Sequence, residues 1–477
     1  MNFTLAELAE ASRGRLLSGN PRRIVRRIGT DTRILRASEC FLALDGKNYR
    51  GSEFIDQAIA KGAAGVITTM TAPPEGFPSE RFFISVDDTT TALGDIAREW
   101  RMIVDPTVCA ITGSSGKTTT KEMLSFICRR RFKHLATDGN FNNLIGLPLT
   151  LLRLKEEHEV AIVETGMNMP GELTRLGEIC IPDISIITNI GNAHIGNFGS
   201  VENLIRAKAE LFEATPRDGT AIINADCPHA SIMAEAFKIP EMVISYGQGD
   251  QADVQARNVR LLDPYGYEFE LRILDSRHRV RLDVFGRYQV SNALAAAAAA
   301  AALGVEPAEI AERLCEFHAP SMRAQTEWLD GALVISDCYN ASPDATMASL
   351  RSLADIAGLS RRYAVLGDML ELGDQVEKFH RRVGIAAAEA QIDFLCTIGA
   401  NSEFIREEAE RLGIAARHFA SADEVAEFLD RKLRAGDGLL VKGSRGMKLE
   451  QVLLRLREMR SAVRSGDVVP ISCVEGI

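Results

Sequence analysis

Residues 107–120 read TVCAITGSSGKTTT, and the order of residue types in that stretch decides the fold. An apolar run with the texture of a buried strand enters a turn marked by Gly113 and Gly116. Lys117 and Thr118 follow, and a helix pattern continues over residues 121–129. Strand, glycine turn, Lys-Thr and helix in that order are the context of a phosphate-binding loop. The glycines let backbone N–H groups approach phosphate oxygens, and the helix N-terminus adds a favourable partial charge. Lys117 can reach β- and γ-phosphates, and the Thr118 hydroxyl can bind Mg²⁺. Gly113, Ser114, Ser115, Gly116, Lys117, Thr118 and Thr119 are therefore the candidate nucleotide-binding residues. Only two residues separate Gly113 from Gly116, fewer than in the eight-residue pattern, and an ordinary glycine-rich turn is the competing reading.

Outward from this loop the same texture repeats. VAIVETG (160–166), ISIITNI (184–190) and GTAIINAD (219–226) are strand-like runs, most of them separated by helical patterns. Continuous apolar strands alternating with helices predict a parallel sheet covered on both faces. Residues 254–284 alternate apolar and polar types, which predicts an antiparallel excursion. Residues 291–303 are alanine-rich and predict an ordered, closely packed helix. Upstream, CFLALDG (40–46) and AAGVITT (63–69) read as strands flanking a helix over 54–63, and a helix pattern over 91–102 leads to Asp105-Pro106. Downstream of residues 318–321 come ALVISDCYN (332–340), YAVLGDM (363–369), FLCTIG (394–399) and GLLVKGS (438–444). The expected class is α/β in three domains. A smaller N-terminal α/β domain spans 1–105, a central P-loop domain with a mainly parallel sheet 106–318, and a C-terminal Rossmann-like domain 319–460. The tail, 461–477, shows no clear pattern after Met459 and is expected to be partly disordered.

Bulk properties narrow the function. The chain has 477 residues, enough for about three domains that each bury a core. Hydrophobic residues make up 46% and charged residues 25%, as in ordinary soluble proteins. The net charge of -10 and a pI near 5.5 argue against a general nucleic-acid binder, which needs a basic face. The start, MNFTLAELAEASRG, has acidic residues inside its apolar run and lacks the basic opening of a signal peptide. No apolar stretch is long enough to span a bilayer. Nine cysteines, scattered and without a CxxC pair, suit a reducing cytoplasm rather than a disulfide or zinc framework.

Further residues stand at predicted strand ends, where ligands collect in open α/β sheets. Glu164 ends one strand and suits either a Mg²⁺ ligand or a solvated acid. His194 lies in a Gly- and Asn-rich loop, NIGNAHIGNFGS, after the next strand; a structural and a ligand-facing role stand evenly. Lys208, in IRAKAELF, reads by itself as a surface lysine. Asn142 and Asn143 form a polar cluster that is either a turn or a substrate loop. Asp337 and Asn340 follow one C-terminal strand, and Lys442, Ser444 and Arg445 follow another.

Taken together, the chain resembles the Mur ligases, the ATP-dependent amino-acid ligases of peptidoglycan precursor synthesis. TGSSGKTTTKEM, Glu164, His194, AKAELF, YQVSNALAA and Asp337 carry the family resemblance, which runs from DTR (31–33) to VKGSRG. GNFNNLIGLPLTLL, DCYNASPDAT and LGDMLELG favour the branch that adds D-alanyl-D-alanine to a UDP-MurNAc-tripeptide. The resemblance implies an acyl phosphate on the tripeptide, formed from ATP with Mg²⁺ and then attacked by the dipeptide amine. It implies that Lys117, Glu164, His194 and Lys208 serve catalysis, and that Thr118, Glu164, His194 and a carbamylated Lys208 serve the metal sites. Asn292, Arg323 and Asp337 are implied around the nucleotide. Asn142 and Asn143 match the family's substrate loop, and Thr32 and Arg33 lie in the region resembling its uridine-binding domain. Asn340, Lys442 and Arg445, at their strand ends, are further candidate substrate-binding residues, placed where a second ligand could bind. One departure stands out: the family's Asp-Gly-His after the CFLAL-type strand reads Arg50-Gly51-Ser52 here. A cytoplasmic enzyme that binds no nucleic acid is implied, and a monomer is the simplest expectation. Another ligase of the superfamily, such as folylpolyglutamate synthetase, and a non-catalytic P-loop binding module stay open on the sequence alone.

Overall fold

A computed structural model of the chain describes residues 1–46, 49–191, 198–229, 232–233, 237 and 239–465. Its central element is the strand Thr107–Thr112, buried along nearly its whole length. It lies in a nine-stranded sheet between Val160–Glu164 and Ile184–Ile187, parallel to both. The chain fills one side of Thr107–Thr112 first, with His134–Ala136 and Val160–Glu164. It then crosses to the other side, where Ile184–Ile187, Thr220–Asn224 and Met242–Gly247 follow in parallel. The strand order thus reverses at the P-loop strand, and that reversal opens a crevice at the strands' carboxyl ends. The expected antiparallel excursion is present as Val254–Leu261, Tyr267–Ile273 and Ser276–Leu282, which extend the same sheet.

The alanine-rich segment forms the helix Tyr288–Ala302, packed between the helix Lys117–Cys128 and the sheet. From Ala293 to Ala300 every side chain has 0% exposure. Small side chains there let two helices and several strands approach closely, which larger residues would prevent.

The C-terminal unit is a six-stranded sheet. Ala332–Ser336, Gly438–Lys442, Arg362–Gly367, Phe394–Ile398 and Ala415–Phe419 run parallel, and Gln325–Leu329 adds an antiparallel edge. The N-terminal unit has a five-stranded sheet in which Cys40–Leu42 and Gly65–Thr68 pair in parallel, flanking the helix Ile55–Ala60. Its helix Thr89–Val104 leans on the central unit. Trp100 Nε1 donates to the Leu154 carbonyl at 3.0 Å, and Arg101 Nε to the Cys180 carbonyl at 2.9 Å. One apolar core is therefore continuous from Phe3 and Trp100 to Leu173 and Phe212.

The last helix, Glu450–Ser465, runs five residues into the segment 461–477 that the sequence left without a pattern. Its apolar positions Val452, Leu453 and Leu456 pack against Phe428 and Val441; residues 466–477 lie outside the described residues. Among the described residues, no helix is long and apolar enough to cross a membrane.

The alanine helix yields a stability prediction. Ala297→Leu is expected to lower the unfolding free energy by about 1–3 kcal/mol through overpacking. Urea unfolding checks this, and an unmoved midpoint would show that room exists around the helix.

Candidate active site

The turn after Thr107–Thr112 is built from two glycines in positive-φ conformations, Gly113 at 149° and Gly116 at 82°. Side chains are excluded at both for a second reason. A Cβ on Gly113 would lie 1.9 Å from Thr188 Oγ1, and one on Gly116 would lie 2.3 Å from Asn292 Oδ1. The loop is pinned from behind by the segment that follows the neighbouring strand. Thr188 Oγ1 donates to the Ser115 carbonyl at 2.6 Å, and Asn189 Oδ1 accepts from Ser115 N at 3.0 Å. Asn189 Nδ2 donates to Ser115 Oγ at 2.9 Å, and Gly191 N donates to Ser114 Oγ at 2.9 Å. Such a cross-braced loop holds its amides in one arrangement, unlike an ordinary glycine turn.

Lys117 is the first residue of the helix Lys117–Cys128, and its Nζ donates to the Gly113 carbonyl at 2.7 Å. Burial lowers its affinity for the proton. The Glu164 carboxylate works against that shift, and Arg323 adds to it. Thr118 Oγ1 donates to Glu164 Oε2 at 2.6 Å, while Asn142 Nδ2 donates to Glu164 Oε1 at 2.7 Å. Glu164 is 3% exposed, so its reading as a solvated strand-end acid is corrected: the carboxylate is buried and oriented on both oxygens. Asn143 lines the cleft while its Oδ1 caps the helix Gly146–Leu151 through Gly146 N at 2.8 Å. The turn and substrate-loop readings of this cluster are thus compatible.

Lys208, read by itself as a surface lysine, is instead 2% exposed on the helix Val201–Glu213 and lines the same cleft. Burial, reinforced by the charge of Lys117, holds its amine well below the ordinary lysine range. Its helix turns this position towards the core, on the same face as Leu204, Ile205, Leu211 and Phe212, and that helical spacing was a usable signal. His194 lies outside the described residues.

The opposite wall comes from the C-terminal unit. Asp337 Oδ2 accepts from Lys442 Nζ at 2.6 Å and from Ser349 Oγ at 2.9 Å, while Oδ1 accepts from Ala324 N at 3.1 Å. Lys442 also donates to the Asn340 carbonyl at 3.1 Å. The Arg323 guanidinium stacks 3.9 Å from the centre of the Tyr339 ring. Arg445 is paired with Glu450 at 2.7 Å. Small and apolar side chains complete the wall: Ala341, Ala345, Ala348, Leu370 and Leu372.

These walls enclose a cleft of about 760 Å³. It brings together residues 113–119, Asn142, Asn143, Glu164, Lys208, Asn292, Arg323, Asp337, Asn340, Lys442 and Arg445. Thr32 and Arg33 do not line it. Thr32 Oγ1 donates to Gln57 Oε1 at 2.6 Å in the N-terminal unit. The Arg33 guanidinium holds the neighbouring Asp31 carboxyl down at about 2. The departure at residues 50–52 keeps its glycine for a steric reason, because a Cβ on Gly51 would lie 2.3 Å from the Ala43 carbonyl carbon. Gly51 N also donates to Asp45 Oδ1 at 2.8 Å. Asn189 and Ser349 are absent from the sequence reading, although the position of Asn189 directly after an apolar strand was a usable signal; Tyr339 and residues 370–372 enter it only within the motifs DCYNASPDAT and LGDMLELG, without individual roles.

The oxygen-rich pair Thr118–Glu164 suits a hard divalent cation, which takes one or two protein oxygens and completes its shell with phosphate and water. Among the described residues, no three His, Cys, Asp or Glu side chains gather as a protein-only metal cage.

Comparison with known proteins agrees with this geometry. Family models match along the chain: Mur ligase family, catalytic domain, at 24–101; Mur ligase middle domain at 111–300; and Mur ligase, glutamate ligase domain, at 322–445. A curated relative, UDP-N-acetylmuramoyl-tripeptide--D-alanyl-D-alanine ligase of Bacillus subtilis, is 34% identical over 461 residues, covering 95% of this chain and 98% of its own. MurF from Acinetobacter baumannii has a similar solved structure, with a TM-score of 0.88 at 32% identity, covering 96% of this chain and 99% of that one. A MurF ligase from Thermotoga maritima, solved in complex with ADP, aligns with a TM-score of 0.82 at 26% identity over 92% and 99% of the two chains.

The brace behind the loop is testable. Asn189→Ala removes hydrogen bonds that order Ser115 and is expected to weaken ATP binding by roughly 5–30-fold. Titration with a fluorescent ATP analogue checks this, and unchanged affinity would mean that the loop holds its shape without Asn189.

Proposed function

We propose a function from one premise: this chain belongs to the Mur ligase family. It uses ATP to join D-alanyl-D-alanine to a UDP-N-acetylmuramoyl-tripeptide, giving the UDP-linked pentapeptide precursor of peptidoglycan. The observation that carries this reading is the single cleft uniting the P-loop and Glu164 with the small apolar wall of Ala341, Ala345, Ala348, Leu370 and Leu372. A phosphate cradle facing a wall whose alanines and leucines stand beside polar Ser342, Asp344 and Glu371 suits transfer from ATP to a small acceptor that carries methyl groups and charged ends.

In this reading the terminal carboxylate of the tripeptide attacks the γ-phosphorus of ATP, ADP leaves, and an acyl phosphate forms. The amine of D-alanyl-D-alanine then attacks the acyl carbon, and the tetrahedral intermediate collapses to the amide as phosphate departs and the amine loses a proton. Bringing a carboxylate to a triphosphate sets two anions against each other. The Lys117 ammonium, at the mouth of the loop, offsets that repulsion as charge moves to the leaving ADP. Thr118 and Glu164 would hold Mg²⁺, with Asn142 fixing the orientation of the carboxylate, which lines the cleft. Held by these residues, the ion would supply positive charge that offsets the phosphate charge during transfer. Asn292, beside Gly116, and Arg323, held flat on Tyr339, suit contacts to the nucleotide.

The buried, cleft-lining position of Lys208 suits carbamylation. Its neutral amine adds to the carbon of CO₂ and releases a proton to solvent, and the resulting carbamate anion would serve a second Mg²⁺ together with His194. Residues 1–105, with Thr32 and Arg33, are assigned to the UDP end, 106–318 to ATP, and 319–460 to the incoming dipeptide. The enzyme is read as a monomer working in the cytoplasm on soluble substrates.

Phosphate release with Mg²⁺-ATP is expected to require both the UDP-MurNAc-tripeptide and D-alanyl-D-alanine, with a pentapeptide product by mass. Release with single amino acids but not the dipeptide would move the chain to another branch of the family. Activity is also expected to fall when the enzyme is prepared and assayed free of CO₂, and to return with bicarbonate. Insensitivity to both would leave Lys208 as an unmodified amine.

A further inference from the structure

His380 lies on the helix Val376–Glu389, does not line the cleft, and has 0% exposure. Both ring nitrogens are nevertheless engaged. Nε2 accepts from the Met369 amide at 3.1 Å, and Nδ1 faces the Val376 carbonyl at 2.7 Å. A nitrogen that accepts from an amide carries no proton, and one that faces a carbonyl must carry one. The two bonds therefore select a single neutral tautomer, with hydrogen on Nδ1. Burial, the largest influence on this ring, favours the same neutral form.

Met369 begins the segment whose next three residues, Leu370, Glu371 and Leu372, line the cleft. This segment is not held by regular structure. It follows the strand Arg362–Gly367, and Glu371 has a φ of 65°, the left-handed region that non-glycine residues enter only when their surroundings impose it. Three clamps do so. The Asp368 carboxylate accepts from Ser402 N at 2.7 Å and Asn401 N at 3.1 Å. Ser444 Oγ accepts from Leu370 N at 3.0 Å, and Ser444 N donates to the Asp368 carbonyl at 3.1 Å. His380 supplies the third, on the amide between those two.

We propose that His380 is a positioning residue for the acceptor substrate: its neutral imidazole pins the Met369 amide and so sets the placement of Leu370 and Leu372 in the cleft wall. The inference rests on the reading above that this wall receives the dipeptide. It assigns His380 no contact with substrate and no part in proton transfer. A loosened wall costs dipeptide affinity while leaving the P-loop, on the opposite side of the cleft, unchanged.

Steady-state kinetics of the full-length enzyme test this. His380→Leu removes both bonds and is expected to raise the KM for D-alanyl-D-alanine roughly tenfold, with the KM for ATP within about twofold of wild type. His380→Gln retains an acceptor on a similar reach and is expected to recover most of that loss. Ser444→Ala releases the adjacent amide and is expected to show the same dipeptide-selective rise, which keeps the test available if His380→Leu does not fold. Hydrogen exchange at the Met369 amide is expected to quicken in both His380 variants, more in His380→Leu. Equal changes in the two KM values, or a fall in kcat alone with KM unmoved, would overturn the inference. A wild-type enzyme that makes no pentapeptide would instead overturn the functional reading.

Discussion

The contact on which the rest of the molecule depends is the brace between the glycine turn at residues 113–116 and the segment Thr188–Gly191. A turn of this kind has little conformational preference of its own, because glycine populates both signs of φ freely. Thr188 and Asn189 remove that freedom with four hydrogen bonds to Ser115, and Gly113 fits only because it has no Cβ to meet the Thr188 hydroxyl. The brace exists because Thr107–Thr112 and Ile184–Ile187 are hydrogen-bonded neighbours at the point where strand order reverses. The sheet's topology thus converts a flexible sequence into a rigid anion cradle before any ligand arrives.

The facing wall uses a different device. Asp337 and Lys442 end adjacent parallel strands and meet as a largely buried ion pair. Removing one partner of such a pair costs roughly 3–5 kcal/mol because the other charge is left without compensation. Ser349 and the Ala324 amide complete the carboxylate's coordination. The same carboxylate therefore ties together the entry to the C-terminal unit, the helix Pro343–Ala354 and two strand ends. Arg323 projects from this junction between Met322 and Ala324, both with positive φ, and is laid flat on Tyr339. Strain of this sort persists only where the surroundings over-determine the backbone, and here they hold a cation at the edge of the cleft.

On the proposed reading, the two walls divide the work of catalysis. The P-loop side is polar and hydrogen-bonded to itself, with Lys117, Thr118 and Glu164 arranged before reaction. The opposite side is small and apolar near Ala341, Ala345 and Ala348, and its loops are held by side chains standing behind them. Preorganised charge suits phosphoryl transfer, whose barrier is largely electrostatic. An apolar surface suits discrimination among acceptors by side-chain size.

Much of this was legible in the chain. The α/β class, the P-loop strand and helix, the antiparallel excursion and the alanine helix are written in local patterns: apolar runs, alternation, glycine at turns and the helix preference of alanine. Strand ends could be named as candidate ligand positions, and Glu164, Asp337, Asn340 and Lys442, named on that ground, do line the cleft. Other features are not settled by local pattern. Lys208 shares the apolar face of Val201–Glu213 with Leu204, Ile205, Leu211 and Phe212, which marks it as inward-facing, but only the packing shows that it opens into the cleft. Asn189 acquires its role from a strand pairing, and residues 370–372 from clamps supplied by three other segments. The pairing of Asp337 with Lys442 joins residues 105 positions apart. The sequence by itself determined which segments become strands, turns and helices, since those choices follow from short-range sterics and periodicity. Which side chains face one another across the cleft was decided only by the tertiary structure, because burial and charge pairing depend on neighbours that the chain brings together from a distance.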